Sequence, residues 1–346
     1  MFDMRALMLT DYKKFEMTDI PEPSAGQGDV VIRIRACGIC GSDVHGFDGS
    51  SGRRIPPLVM GHEAAGVVER VGKGVQQLHE GDRVTFDSMI SCGHCEFCRR
   101  GKINLCDARR VLGVSCGDYR QHGAFAELVS VPQHIVVPIP DDLSFEQAAL
   151  VEPVSIAVHA VNLTPLELGQ SAVVVGCGTI GLLCVQALRA AGCGAIYASD
   201  PDETRRERAL QAGADDVFDP RSVDLRSEVE ARTGGYGADI AVEAVGATEP
   251  VRSAIDVVRK GGVVTLVGNV TADIDFPLQS VVTREIQLVG SCGSSGEYAQ
   301  CLELMSRRII DVEPLVTATA PLADGASWFD RLYAQEPGLL KVILQP

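Results

Sequence analysis

The sequence predicts an α/β chain of two domains, one mostly β and one a doubly wound parallel sheet. Over the first 140 residues, short alternating runs such as Val30-Val31-Ile32-Arg33-Ile34-Arg35 are broken by Gly and Pro, the signature of strands joined by turns. Beyond about residue 170, continuous apolar strands alternate with helical stretches, which is how a parallel sheet is written. At 346 residues the chain also exceeds the size at which one core stops growing, so two domains are the expected count.

In the first part, Ala65-Gly66-Val67-Val68-Glu69-Arg70-Val71 reads as a strand closed by a Gly72-Lys73-Gly74 turn, and Leu78 to Val84 as a turn feeding another strand. A cysteine lobe then interrupts the pattern. Cys92, Cys95, Cys98 and Cys106 fall within fifteen residues, separated by two, two and seven others. Four thiolates gathered by a tight loop make a closed tetrahedral site, the mark of structural zinc, although a rubredoxin-like iron site is chemically possible. His94 is not needed for four-coordination and reads as a solvent-facing turn residue. Gly123 to Pro132 supplies a further strand and turn. Ala148 to Ala160 reads mostly as a helix of small apolar residues, with Glu152 between Val151 and Pro153. An unpaired carboxylate in that context is costly, so Glu152 calls for a cation.

In the second part, the strand Ser171-Ala172-Val173-Val174-Val175 runs directly into Gly176-Cys177-Gly178-Thr179-Ile180-Gly181 and then an apolar helix from Leu182 to Ala191. Ala195 to Ser199 is the next strand, and Asp200 stands at its carboxyl end, 24 positions after the first glycine. Strand, glycines, helix, strand and terminal acid together form the dinucleotide fingerprint: the glycines admit a pyrophosphate to the helix N-terminus and the acid accepts from ribose hydroxyls. Asp239 to Gly246, a helix from Glu249 to Arg259 and Gly261 to Gly268 continue the alternation. The tail, ending in Leu339 to Leu344, is expected to rejoin the first domain.

Composition limits the partners. A formal charge of -15 repels phosphate backbones and anionic lipid, which argues against nucleic acid. The N-terminal residues lack the apolar stretch of a signal peptide, and no run reaches the ~20 apolar residues of a membrane span. Twelve cysteines in so long a chain, many of them single within apolar runs, fit a reducing cytoplasm better than a disulfide framework.

The chemistry centres on Ala36-Cys37-Gly38-Ile39-Cys40-Gly41-Ser42-Asp43-Val44-His45 taken with Gly61-His62-Glu63. Together they offer a thiolate, an imidazole, carboxylates and a hydroxyl, the groups needed for a zinc-centred proton-handling site. Separately, Cys37-x-x-Cys40 reads as readily as a redox pair and Gly-His-Glu as a surface turn.

The combination of these motifs resembles the zinc-dependent medium-chain alcohol dehydrogenases, in the branch that holds sorbitol and other polyol dehydrogenases, threonine dehydrogenase and butanediol dehydrogenase. The resemblance covers nearly the whole sequence. It implies a GroES-like β domain over 1–155, completed by 291–346, and a Rossmann dinucleotide domain over 156–290. It makes Cys40 and His62 ligands of a catalytic zinc, with Glu63 either a contact just outside the ligand set or an alternating ligand, Glu152 a ligand held directly or through water, and Asp43 the carboxylate that orients the histidine. Cys92, Cys95, Cys98 and Cys106 become the structural zinc site, for two zinc ions per chain. Ser42 and His45 match a relay that passes the alcohol proton through the nicotinamide ribose to the surface. Cofactor contacts are implied for Gly176, Gly178, Thr179, Ile180, Gly181, Asp200, Val245 and Val267, for Arg205 on adenine and for Lys341 on pyrophosphate. NAD is the expected cofactor, because Asp200 would repel a 2′-phosphate, and a homodimer or homotetramer the expected assembly. The implied substrate is a polyol, sugar-derived or other vicinal secondary alcohol, with threonine and butanediol as alternatives. A zinc-free reductase would lack the metal motifs, and a non-catalytic zinc-binding interaction protein would have no use for Ser42, His45 and a nucleotide site together. Cys37 reads as a buried strand residue, and His79, His122, His134 and His159 as core or surface residues.

Overall fold

The computed structural model describes residues 3–346. It divides into two compact units, one of residues 1–152, 298–306 and 312–346, the other of 153–297 and 307–311. The sequence reading drew the boundaries after 155 and 290. The structure draws them after Glu152 and Glu297, so that 153–155 and 291–297, together with 307–311, belong to the second unit, while the helix Tyr298–Ser306 stays in the first as expected.

The first unit is built on a seven-stranded sheet in the order Val136–Pro138, Arg83–Phe86, Glu63–Val71, Asp29–Gly38, Lys341–Gln345, Val316–Pro321, with Leu128–Pro132 also paired to Asp29–Gly38. Pairing is antiparallel except between the two C-terminal strands. The tail joins this sheet through Ile343 opposite Gly38 and Leu344 opposite Cys37. Val30, Ile32 and Ile34 are buried as the alternation predicts, while Arg33 reaches across to Glu69 through two hydrogen bonds of 2.9 and 2.7 Å. Phe47, Phe86, Phe125 and Phe329 fill the core of this unit.

The second unit is a six-stranded parallel sheet in the order Asp216–Phe218, Ala195–Ser199, Ser171–Val175, Ala238–Glu243, Val258–Leu266, Gln287–Gly290. Numbered within the unit this is 3-2-1-4-5-6, the doubly wound order whose chain reversal falls between Ser171–Val175 and Ala238–Glu243. Ser171–Val175 and Ala195–Ser199 begin and end where the apolar runs do. The helix expected over Glu249 to Arg259 ends earlier, at Val257, because Val258 already belongs to the next strand. Among the described residues, no helix is long and apolar enough to cross a membrane.

Candidate metal and dinucleotide sites

The cysteine lobe closes as the spacing predicts. The four sulfur atoms of Cys92, Cys95, Cys98 and Cys106 all lie within 4.8 Å of one another, and Cys92 Sγ is 4.0 Å from Cys98 Sγ. Zinc–sulfur bonds of about 2.3 Å in a tetrahedron place sulfurs roughly 3.8 Å apart, so the four need only small shifts to close on an ion. Backbone N–H groups of Cys98 and Asp107 bring the Cys95 thiol down to about 6, whereas desolvation and the neighbouring sulfurs push Cys98 up to about 11. Four thiolates can be charged together only with a cation between them. His94 is exposed and its Nδ1 lies 2.8 Å from the Cys92 carbonyl, a turn contact outside the sulfur cluster.

The second cluster lies where strand ends meet a short helix. Cys40 ends the approach from Asp29–Gly38 and caps the helix Gly41–Gly46, its Sγ accepting from Ser42 N at 3.5 Å and Ser42 Oγ at 3.3 Å. His62 and Glu63 sit at the start of Glu63–Val71, the neighbouring strand. One ligand atom from each of Cys40, His62 and Glu63 falls within 4.8 Å of the others. A sulfur, a nitrogen and an oxygen donor, with a fourth position left to substrate, suit a catalytic zinc.

Asp43 sits behind this cluster with no exposed surface. His62 Nδ1 is 3.4 Å from Asp43 Oδ2, and neither atom has a hydrogen-bond partner of better geometry. With Nδ1 turned to Asp43, the second ring nitrogen is left for the metal. Arg54, also buried, grips Asp43 Oδ1 through Nε at 3.0 Å and Nη2 at 2.9 Å, and the same Nη2 donates to Ser42 Oγ at 3.4 Å. Burial would raise the Asp43 carboxyl, but His62 and Arg54 outweigh it and hold the group at about 2. Burial likewise works against a charged His62, yet Asp43 and Cys40 raise it well above its ordinary value, so the cluster draws positive charge. His45 lies one turn beyond Ser42 on the same short helix, partly exposed.

One expected role does not match the structure, and a second is narrowed. Lys341, implied as a pyrophosphate contact, is 2% exposed, and its ammonium donates to both Glu63 carboxylate oxygens at 2.7 Å and to the Ile39 carbonyl at 3.1 Å. All three of its donors are engaged inside the first unit, so none is left for a phosphate. Glu152, implied as a ligand held directly or through water, lies outside the Cys40, His62 and Glu63 cluster, a position compatible with contact through water. Desolvation first, with repulsion from Glu63 added and attraction by His62 opposing, pushes its carboxyl up to about 7. Glu152 is thus an electrostatic neighbour of the cluster rather than a member.

In the second unit, Gly176 takes a φ of +93°, and a Cβ there would meet Val245 Cγ2 at 2.4 Å. Gly181 packs the helix Thr179–Ala190 onto the turn, because its Cβ would meet the Gly176 carbonyl at 1.8 Å. Gly178 caps that helix, and a Cβ there would meet nothing within 4 Å. The turn is therefore tight beneath and open above the helix N-terminus, the shape a pyrophosphate needs. Thr179 and Ile180 form the first helical turn. Asp200 follows Ala195–Ser199, and its carboxylate accepts from Cys177 N and Asp202 N, both at 2.8 Å. Each oxygen keeps a lone pair for a ribose hydroxyl. Arg205 Nη1 stands 4.0 Å from Asp200 Oδ2. Val245 and Val267 follow the fourth and fifth strands of the sheet, both bonded to Glu243. Cys177 is buried, and burial followed by the Asp200 charge raises its thiol to about 12.

Arg54 and Glu243 were not legible as site residues. Arg54 in Gly52-Arg53-Arg54 reads as a surface charge. Glu243 is fully buried, with Oε1 accepting from Val245 N and Gly246 N at 2.8 Å and Oε2 without a partner among the described residues, at the carboxyl edge where the sheet reverses. His159, expected in the core or at the surface, is buried with Nδ1 2.6 Å from Glu297 Oε1.

Residues 26–141 match the alcohol dehydrogenase GroES-like domain, and residues 179–307 match the zinc-binding dehydrogenase family. Sorbitol dehydrogenase of Bacillus subtilis is 33% identical over 349 residues, covering 99% of this chain and 98% of its own length. The crystal structure of 2R,3R-butanediol dehydrogenase from Bacillus subtilis is 33% identical with a TM-score of 0.89, covering 99% of each chain. A zinc-binding dehydrogenase from Sinorhizobium meliloti, solved bound to NADP, is 29% identical with a TM-score of 0.90 over 100% of both chains.

Proposed function

From the premise that the chain belongs to the zinc-dependent medium-chain alcohol dehydrogenase family, we propose that it oxidises a polyol or other vicinal secondary alcohol to the ketone, with NAD as hydride acceptor and two zinc ions per chain. The observation that carries this reading is the buried Asp43 directing His62 toward Cys40 and Glu63.

Cys40, His62 and Glu63 would hold the catalytic ion, and the four-cysteine lobe the structural one. Zinc bound there would act as a Lewis acid that lowers the pKa of a coordinated alcohol. Ser42 Oγ, held between Cys40 Sγ and Arg54, is positioned to take the hydroxyl proton, and His45 one turn away to pass it toward solvent. A nicotinamide dinucleotide held at Gly176–Gly181 would supply the hydride acceptor, so that alcohol and NAD would give ketone, NADH and one proton. Glu63 is partly neutralised by Lys341, which suits a carboxylate that enters and leaves coordination. Glu152 stands outside the three-ligand cluster, which suits contact through water. Carboxylate oxygen near the metal favours a chelating diol over a simple primary alcohol, and the sorbitol and butanediol dehydrogenases among the relatives support that choice.

Twelve cysteines in so long a chain, many of them single within apolar runs, support a cytoplasmic location. A homo-oligomer is supported by the strand Gln287–Gly290, which ends the parallel sheet with Leu288 exposed, beside the helix Leu278–Thr283, whose Leu278 and Val282 are also exposed. Such an edge is available for pairing with a second copy. The deciding experiment is turnover of NAD with sorbitol, galactitol, sugar acids, butanediol, threonine and ethanol. Preference for a polyol or diol supports the proposal. Preference for ethanol overturns the substrate class, and selective threonine turnover replaces it.

A further inference from the structure

Ser199 and Phe218 are register partners at the ends of two adjacent parallel strands, so Asp200 and Asp219 leave the sheet side by side. Asp200 N donates to the Phe218 carbonyl at 3.2 Å, which fixes the two turns together. Three guanidiniums surround this point: Arg205, Arg206 and Arg221. A 2′-phosphate at the Asp200 end of a bound dinucleotide would need at least one of them free.

Two of the three are engaged by Asp219, Arg206 largely buried and Arg221 exposed. Arg221 closes a fork on Asp219, with Nε 3.0 Å from Oδ1 and Nη2 2.9 Å from Oδ2, and its Nη2 also donates to the Pro201 carbonyl. Arg206 Nη1 donates to the carbonyls of Asp200 at 2.8 Å and Pro201 at 2.9 Å, and lies 3.6 Å from Asp219 Oδ2. Its side chain is 17% exposed and that of Asp219 19%, so water screens this pair less than an open surface pair. Arg205 remains, and its closest carboxylate is Asp200 itself.

We infer that Asp219 is a cofactor-specificity residue, disfavouring NADP by sequestering Arg206 and Arg221, while Asp200 meets the ribose. The inference rests on the proposed nicotinamide dinucleotide site at Gly176–Gly181. It adds a second acid, on the next strand, to the discrimination expected from Asp200 alone. Removing Asp219 raises the local charge by one unit, releases the planar Arg221 fork and takes from Arg206 its neighbouring carboxylate, leaving both better suited to phosphate.

The test uses the full-length wild-type protein, Asp219→Ser, and a triple variant combining Asp219→Ser with Arg206→Ala and Arg221→Ala. Each is titrated with NADH and NADPH by nicotinamide fluorescence. Asp219→Ser is expected to tighten NADPH by about tenfold with NADH changed less than about threefold, and the triple variant to lose most of the gain. An unchanged NADPH affinity in Asp219→Ser overturns the inference, as does a gain that survives in the triple variant. Parallel weakening of both cofactors makes Asp219 a packing residue and also overturns it. Tighter NADPH than NADH binding in the wild type refutes the NAD preference and this inference together. A wild type that binds neither refutes the dinucleotide site itself.

Discussion

Arg54 holds Asp43 through two nitrogens on one carboxylate oxygen, Nε at 3.0 Å and Nη2 at 2.9 Å, leaving the other oxygen to His62. This division of labour matters because a buried carboxylate is stable as an anion only when its lone pairs are engaged, and an anion at Asp43 sets the imidazole's orientation. Arg54→Ala is expected to weaken zinc retention and lower turnover by about 10- to 100-fold. Arg54→Lys, which keeps the charge but not the fork, falls between. Zinc release to a competing chelator, measured beside turnover, checks this. Wild-type zinc affinity in Arg54→Ala would contradict it.

The cysteine lobe should hold its own ion. Cys98→Ser removes one of four sulfurs, and metal analysis is expected to fall by about one zinc equivalent, with a lower melting temperature. Unchanged metal content and folding would refute the structural-zinc assignment.

Lys341 and Glu63 are buried partners, and the cost of breaking them differs from that of replacing both. Lys341→Met leaves the Glu63 carboxylate without its counter-charge and is expected to cost about 3–5 kcal/mol in urea unfolding. The double change Lys341→Met with Glu63→Leu is expected to recover much of that loss. NADH affinity in Lys341→Met should stay within about twofold of wild type, because the ammonium has no donor to offer a pyrophosphate. A large loss of NADH affinity in a folded Lys341→Met protein would restore the pyrophosphate role.

Acid stability should depend on Glu297. Burial works to raise its carboxyl, but the hydrogen bond from His159 and the backbone N–H of Ser295 hold it below its ordinary value of 4.5. A carboxyl depressed in the folded state stabilises above its unfolded pKa and loses that contribution as pH falls through the folded value. Glu297→Gln is therefore expected to lower the melting temperature at pH 7 and to narrow the difference from wild type below about pH 4. A difference that does not change with pH would refute the linkage.

The exposed edge strand gives the oligomer prediction. Leu288→Lys places a charge on the strand that ends the parallel sheet, and sedimentation is expected to show a smaller assembly than wild type. Identical assembly would place the interface elsewhere.

The sequence by itself determined the elements whose signals are local. A continuous apolar strand followed by Gly176-Cys177-Gly178-Thr179-Ile180-Gly181 carries its own backbone geometry, because only glycine accepts the φ of +93° at Gly176 and the close approach at Gly181. Cys92 to Cys106 carries four cysteines within one loop, so spacing alone pointed to the sulfurs that the fold gathers within 4.8 Å of one another. Tertiary structure decided what depends on pairing across the chain. Lys341 stands 278 residues from Glu63, and its ammonium read as a solvated charge until the antiparallel match of Lys341–Gln345 to Asp29–Gly38 brought it inward. Arg54 becomes a site residue in the same way, by the burial of Asp43 beside it. A charge is made structural by the opposite charge that the fold buries beside it, and that partner is not a property of the residue's own stretch of sequence.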